Sequence, residues 1–229
     1  MKKILTLLLA VCLVFCAVSC NKVDPNEKSE GVMTHAEFLA AALDSEVVIE
    51  GFVQAKQSWW QDEAVVYLQD GTGGYYIYKL PCTKSEFDAL AIGTKIQVTG
   101  ARKSWGGMDE IMGVTDWKVV GSDTYVAEAT DVTSKLGNNA ELTKCTGMLV
   151  ALKDMNFKSA FYADSGDIYV TVEKGGVEYS LTVEVYLTDA ETDVYKSVAD
   201  LVANDVIDIE GFLAWYEGNL DMHITKITK

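Results

Sequence analysis

The residues in this chain best equipped for chemistry are aromatic, and they sit in polar surroundings. The stretch KQSWWQDE (residues 56–63) places Trp59 and Trp60 side by side among Gln, Ser and Asp, directly before an alternating strand pattern. Neighbours on a strand point to opposite faces, so both indoles cannot enter one core. SWGGMD (residues 104–109) sets Trp105 beside two glycines, and Trp215-Tyr216 takes a matching place near the C-terminus. Tyr76 and Tyr78 share the outward face of a strand. Flat rings of this kind stack on flat ligand faces, sugars and bases alike. Trp59, Trp60, Tyr76, Tyr78, Trp105, Trp215 and Tyr216 are therefore the candidate ligand-binding residues. Phe157, Phe161 and Tyr162 form a weaker set expected in a second loop. The competing reading packs these rings on one another or against a sister domain.

Signals for catalysis are thin. The chain has two histidines, His35 at a helix start and His223 within a strand. No Cys/His spacing suits zinc, and neither a Gly-x-Ser-x-Gly elbow nor a phosphate loop is present. Carboxylate pairs such as Asp62/Glu63 and Asp109/Glu110 are expected from an acidic composition. Asp62 with Asp109 is a calcium pair only if their loops meet, without the ligand series of an EF-hand. The expectation is a non-catalytic protein with no cofactor and no metal.

A strand plan used twice must position these rings. Thr34 and Glu37 form a capping box for a short leading helix. Strands follow at 47–56, 63–69 and 75–80, with the turn DGTGG (residues 70–74) expected to use positive φ. A second box at Thr83–Glu86 opens a helix with Phe87, Leu90 and Ala91 inward. Strands from 94 and 110 complete the first set. The second set reads as a strand over 144–153 carrying Gly147, then 167–173, then unbroken alternation over 177–187. A third box at Thr188–Glu191 opens a helix, with Val194, Val198, Leu201 and Val202 in one stripe. Strands from 205 and to 229 close the set. Glu50-Gly51-Phe52 and Glu210-Gly211-Phe212 repeat one another, and Gly100 sits like Gly211. Glycine inside a strand marks a sharp bend or a close approach. Such glycines in the first and fourth strands, with a helix between strands three and four, are the plan of the OB-fold. The expected fold class is mainly β: two five-stranded Greek-key OB-type barrels, each with its helix, plus the leading helix. The expected divisions are 1–19 signal, 20–33 tether, 34–120 first domain, 121–143 connector and 144–229 second domain.

The chain opens MKKILTLLLAVCLVFCAVSC, a charged n-region and an apolar stretch too short for a membrane span. Ala17-Val18-Ser19-Cys20 resembles a bacterial lipoprotein signal, which implies acylation of Cys20 and anchoring through it. Ala17-Val18-Ser19 also suits ordinary signal peptidase. The net charge of −15 argues against a polyanionic partner. Cys82 and Cys145 are expected as buried thiols, with a disulfide the alternative. YLQDGTGGYYIY, GTKIQVTGARK and the opening THAEFLAAAL resemble the OB-type domains of exported lipoproteins of Bacteroidetes, over most of 34–229. That resemblance implies fold and a place in the cell envelope, and no activity. The leading expectation is an outer-membrane-anchored lipoprotein, periplasmic or surface-exposed. Its aromatic loops would bind a glycan or another envelope protein. The alternatives are a purely structural envelope component and a nucleic-acid binder. The last requires a basic groove around Lys56, Lys79, Arg102 and Lys103.

Overall fold

The computed structural model describes residues 23–229. Cys20 and the signal segment lie outside them. The first barrel follows α1 (His35–Ala40) and consists of β1 (Glu46–Lys56), β2 (Glu63–Gln69), β3 (Gly74–Pro81), α2 (Lys84–Ala89), β4 (Thr94–Trp105) and β5 (Met108–Thr124). The strands close in the order β1-β2-β3-β5-β4, with β3 and β5 parallel at Ile77 and Ile111. A connector holds β6 (Thr130–Asp131) and α3 (Asn139–Thr143). The second barrel has β7 (Leu149–Tyr162), β8 (Ile168–Lys174), β9 (Val177–Val183), α4 (Asp193–Ala199), β10 (Val206–Tyr216) and β11 (Asn219–Thr228). It closes through β10 on β7, and β9 meets β11 in parallel at Thr182 and His223. Both are five-stranded OB-type barrels.

Period-two patterning builds each core. Ala64, Val66 and Leu68 of β2 face inward beside Tyr75 and Ile77 of β3 and Ile96 and Val98 of β4, all buried. The second core is made the same way by Ile168, Val170 and Val172 with Leu181 and Val183. The strand glycines mark close approaches: a Cβ on Gly211 would lie 2.4 Å from the His223 carbonyl oxygen. Cys82 and Cys145 are free and buried.

Several local expectations are corrected. The DGTGG turn does not use positive φ at any of its glycines. It uses their lack of a side chain. A Cβ on Gly73 would sit 2.1 Å from the His35 ring, and one on Gly74 would sit 2.1 Å from the carbonyl carbon of Gly147. Gly147 is not inside a strand. It turns at φ +76° two residues before β7, where it meets Gly74 across the two barrels. The third capping box does not form, because the Glu184 carbonyl takes Thr188 N–H at 2.9 Å and the Asp189 side chain takes Glu191 N–H at 2.9 Å. The helix starts later, capped by Thr192. That same turn ends β9 at Val183, short of the expected 187. Phe157, Phe161 and Tyr162 lie in β7, with Phe157 in the core. The first domain's last strand runs to Thr124, past the expected boundary at 120.

The described part of the tether is not loose. Lys28 reaches the buried Asp70 at 2.6 Å, Ser29 N–H donates to Glu50 at 3.1 Å, and Met33 N–H donates to Val48 O at 2.8 Å. Asp70 and Glu50 are fully buried, and a buried carboxylate requires such partners. The segment is the first barrel's clasp. The Gly74–Gly147 contact generates a prediction. Gly74→Ala drives a methyl into the Gly147 backbone, and chemical denaturation should show a loss of about 1–3 kcal/mol. A neutral result would mean that the barrels separate at no cost.

Candidate functional site

The two barrels meet through an outward-facing residue of β2. Tyr67 leaves the first core yet is fully buried, because its ring lies 4.4 Å from that of Phe212 on β10. Gln57 donates to its hydroxyl at 3.2 Å, so the hydroxyl proton is directed to Nδ1 of His223 at 2.6 Å. Burial pushes His223 down to about 4, which keeps that ring neutral and able to accept. Three further contacts pin the seam. Leu149 N–H donates to the Gln69 side chain at 2.7 Å, Ser58 N–H to Tyr186 O at 2.8 Å, and Gly218 N–H to Gly106 O at 3.1 Å.

Along one side of this seam runs a cleft of about 780 Å³ with walls from both barrels. Six of the seven candidate aromatics line it: Trp59, Trp60, Tyr76, Tyr78, Trp105 and Tyr216. Trp60 and Trp105 are the open faces, at 71% and 63% exposed. Trp105 reaches across the seam to Tyr216, ring centroids 5.7 Å apart. Trp59 is anchored, its indole N–H donating to Cys82 O at 2.9 Å. Trp215 does not line this cleft but does line a smaller pocket beside it. It is buried in the second core and donates to Thr146 at 2.9 Å, because alternation turns it inward when Tyr216 turns out.

The cleft is acidic. Asp167, Glu184 and Asp221 line its second-barrel wall. Burial pushes Glu184 up to about 7 and Asp221 up to about 6. A smaller pocket of about 350 Å³, sharing Tyr76, Tyr78, Trp105 and Tyr216, lies against Glu110. Burial raises Glu110 to about 7. The basic groove that nucleic acid would need does not form. Lys56 caps α2 through the Phe87 and Leu90 carbonyls, and Arg102 pairs with Asp109 at 2.9 Å. Lys103 pairs with Asp44, and Lys79 lies 3.2 Å from Glu63. Arg102 also occupies the Asp109 proposed for calcium. Among the described residues, no cluster of three His, Cys, Asp or Glu side chains is placed to hold a metal.

Tyr67, His223, Glu110, Glu184 and Asp221 carry no signal as site residues in sequence. The one available cue was the outward row of Tyr67, Tyr76 and Tyr78 on adjacent strands, too apolar for a face in open water.

No family model matches the chain, and no curated protein does. Solved structures give slight likenesses. A murine DNA-binding protein bound with double-stranded DNA is 10% identical, at TM-score 0.39, covering 81% of this chain and 99% of that one. The Ifi202 HINa domain in complex with 20-bp double-stranded DNA is also 10% identical, at TM-score 0.37, covering 81% and 100%. Asparaginyl-tRNA synthetase of Entamoeba histolytica is 20% identical, at TM-score 0.33, covering 38% of this chain. The chain spans only 23% of that synthetase. Likenesses this low carry no argument about function.

The raised carboxyls give a pH prediction. A carboxyl raised in the fold stabilises the native state below its unfolded value and loses that contribution as pH rises through the folded one. For Glu110 the window runs from about 4.5 to about 7. Glu110→Gln should match the wild type near pH 4 and become the more stable of the two as pH passes about 7. Thermal melts across pH check this, and a gap that does not depend on pH would contradict it.

Proposed function

We propose that the protein is a non-catalytic binding protein whose ligand is a glycan held in the cleft between its two barrels. The observation that carries this reading is the convergence of exposed aromatics from both barrels on one acidic cleft. Sugar rings present flat C–H faces to Trp60 and Trp105, while their hydroxyls donate to carboxylates. A site of mostly aromatic walls with a few placed polar groups is the usual makeup of a small-molecule site. OB-type barrels are used for oligosaccharides as well as oligonucleotides. The acidic lining and the tied-up cations favour the first.

Support for a non-catalytic role comes from how the second-barrel carboxylates are used. Asp221 accepts from Met222 N–H at 2.7 Å and from the Thr182 hydroxyl at 3.1 Å. Asp167 accepts from Val185 N–H at 3.0 Å and from Ser165 at 2.9 Å. They hold their own wall together. An exported, Cys20-anchored protein of the cell envelope fits a glycan ligand. That location rests on the signal-like N-terminus, outside the described residues.

Trp60→Ala and Trp105→Ala should each weaken glycan binding about tenfold, as expected for a stacked ring, and leave the melting temperature unchanged. Tryptophan fluorescence titration with glycan oligomers measures the first, and product analysis should find no cleavage. Unchanged affinity in both variants would remove the cleft from the account. Binding to oligo-dT that falls steeply with salt would replace the glycan with nucleic acid.

A further inference from the structure

The pocket under the cleft is built differently from the cleft itself. Glu110 points into it from β5 and is 5% exposed. Outward from β5, it leaves the first core to Ile111 and faces the second barrel beside Met108 and Met112. Among the described residues, no donor is hydrogen-bonded to its carboxylate. Its register partner on β4 is Lys103, whose ammonium goes to Asp44 instead. The next cation, Arg102, is held by Asp109 and the Ala41 carbonyl. No Lys or Arg lines the pocket, and its histidine, His223, is neutral. Asp221 faces the pocket from β11. The aromatic walls are Tyr76, Trp105, Tyr216 and the buried Trp215 next to it in sequence, with Tyr78 beside them. Tyr78 is already 5.7 Å from the Lys79 ammonium and is left out.

The Glu110 carboxylate opens onto the pocket with no cation beside it, and aromatic faces attract cations. We propose that this pocket receives a positively charged nitrogen of the ligand, with Glu110 as counter-charge and Trp105, Tyr216 and Tyr76 as the cage. This rests on the glycan reading and narrows it. The ligand is a glycan with a free amine, an amino sugar that is not acetylated. The cation supplies the partner that the fold withholds from Glu110. Asp221 adds attraction at longer range, and its own hydrogen bonds keep it in place.

The test compares the trimer of glucosamine with the trimer of N-acetylglucosamine at about pH 7, by tryptophan fluorescence. The tetramethylammonium ion serves as a third probe because its charge does not change with pH. The free-amine trimer should bind at least about tenfold tighter, in line with a desolvated cation–π and charge contact. Glu110→Gln should erase that preference and keep binding of the acetylated trimer. Glu110→Asp, which keeps the charge, should retain part of the preference, a result that a merely structural role would not give. Tetramethylammonium should bind more weakly as pH falls below about 7, where Glu110 takes up a proton. Equal affinity for both trimers, unmoved by Glu110→Gln, would overturn the inference and leave the glycan reading standing. Tetramethylammonium binding lost in Glu110→Gln, with neither trimer bound, would keep the cation pocket and overturn the glycan. Silence from all three probes would overturn both.

Discussion

The approach of two backbones at Gly74 and Gly147 sets the rest of this molecule. A Cβ on either glycine would lie within 3.0 Å of the other's backbone. Only with both side chains missing do the barrels come close enough for Tyr67 of one to lie against Phe212 of the other. Tyr67 then loses all solvent, and its hydroxyl must be satisfied across the seam. His223 does this in its neutral form. One steric constraint thus explains a buried tyrosine on an outward face and a histidine held neutral. It also explains the cleft, because a gap with walls from two bodies exists only while their separation is fixed.

Charge is handled in two opposite ways. At the clasped end, burial by itself would raise Asp70 and Glu50, yet their partners outweigh it. Lys28 and Thr72 hold Asp70 down, and Ser29, Lys95 and Gln97 hold Glu50 down. Lys28 and Lys95 lie within 2.6 Å and 3.2 Å of these carboxylates. On the cleft side, Glu110, Glu184 and Asp221 have no lysine or arginine beside them and are raised. Buried charge is matched where the fold needs stability and left unmatched where the molecule is open. That contrast, more than the net charge, sets the cleft apart from the rest of an acidic surface.

The architecture was legible because its signals are local. Alternation over residues 63–69 matches β2 to the residue. The boxes at Thr34–Glu37 and Thr83–Glu86 form with both reciprocal bonds. Glycines in β1, β4 and β10 mark the barrel plan. The box at Thr188 read equally well and failed, because Glu184 and Asp189 took its two backbone donors. Sequence periodicity does not register that competition. Six of seven candidate aromatics reached the cleft because loop rings next to strand ends have few other places to go. Trp215 lines only the smaller pocket because a tryptophan and a tyrosine in sequence alternate, and nothing local says which turns inward. Glu110, Glu184, Asp221 and His223 were invisible because their significance depends on burial set by contacts far apart in the chain, such as Tyr67 with His223, 156 residues away. Gly74 was visible as a glycine and read as part of a turn, and Gly147 was read as lying within a strand, so their contact went unseen.

The central claim is that one ligand site draws on both barrels. The most direct measurement is an NMR spectrum of the tryptophan indole N–H groups during titration with glucosamine trimer. The indole signals of Trp60 and Trp105 should shift together and saturate at one concentration. Backbone signals on both sides of the seam, Tyr78 and Tyr216 among them, should move. Shifts confined to one barrel, or Trp60 and Trp105 signals that stay unchanged, would contradict it.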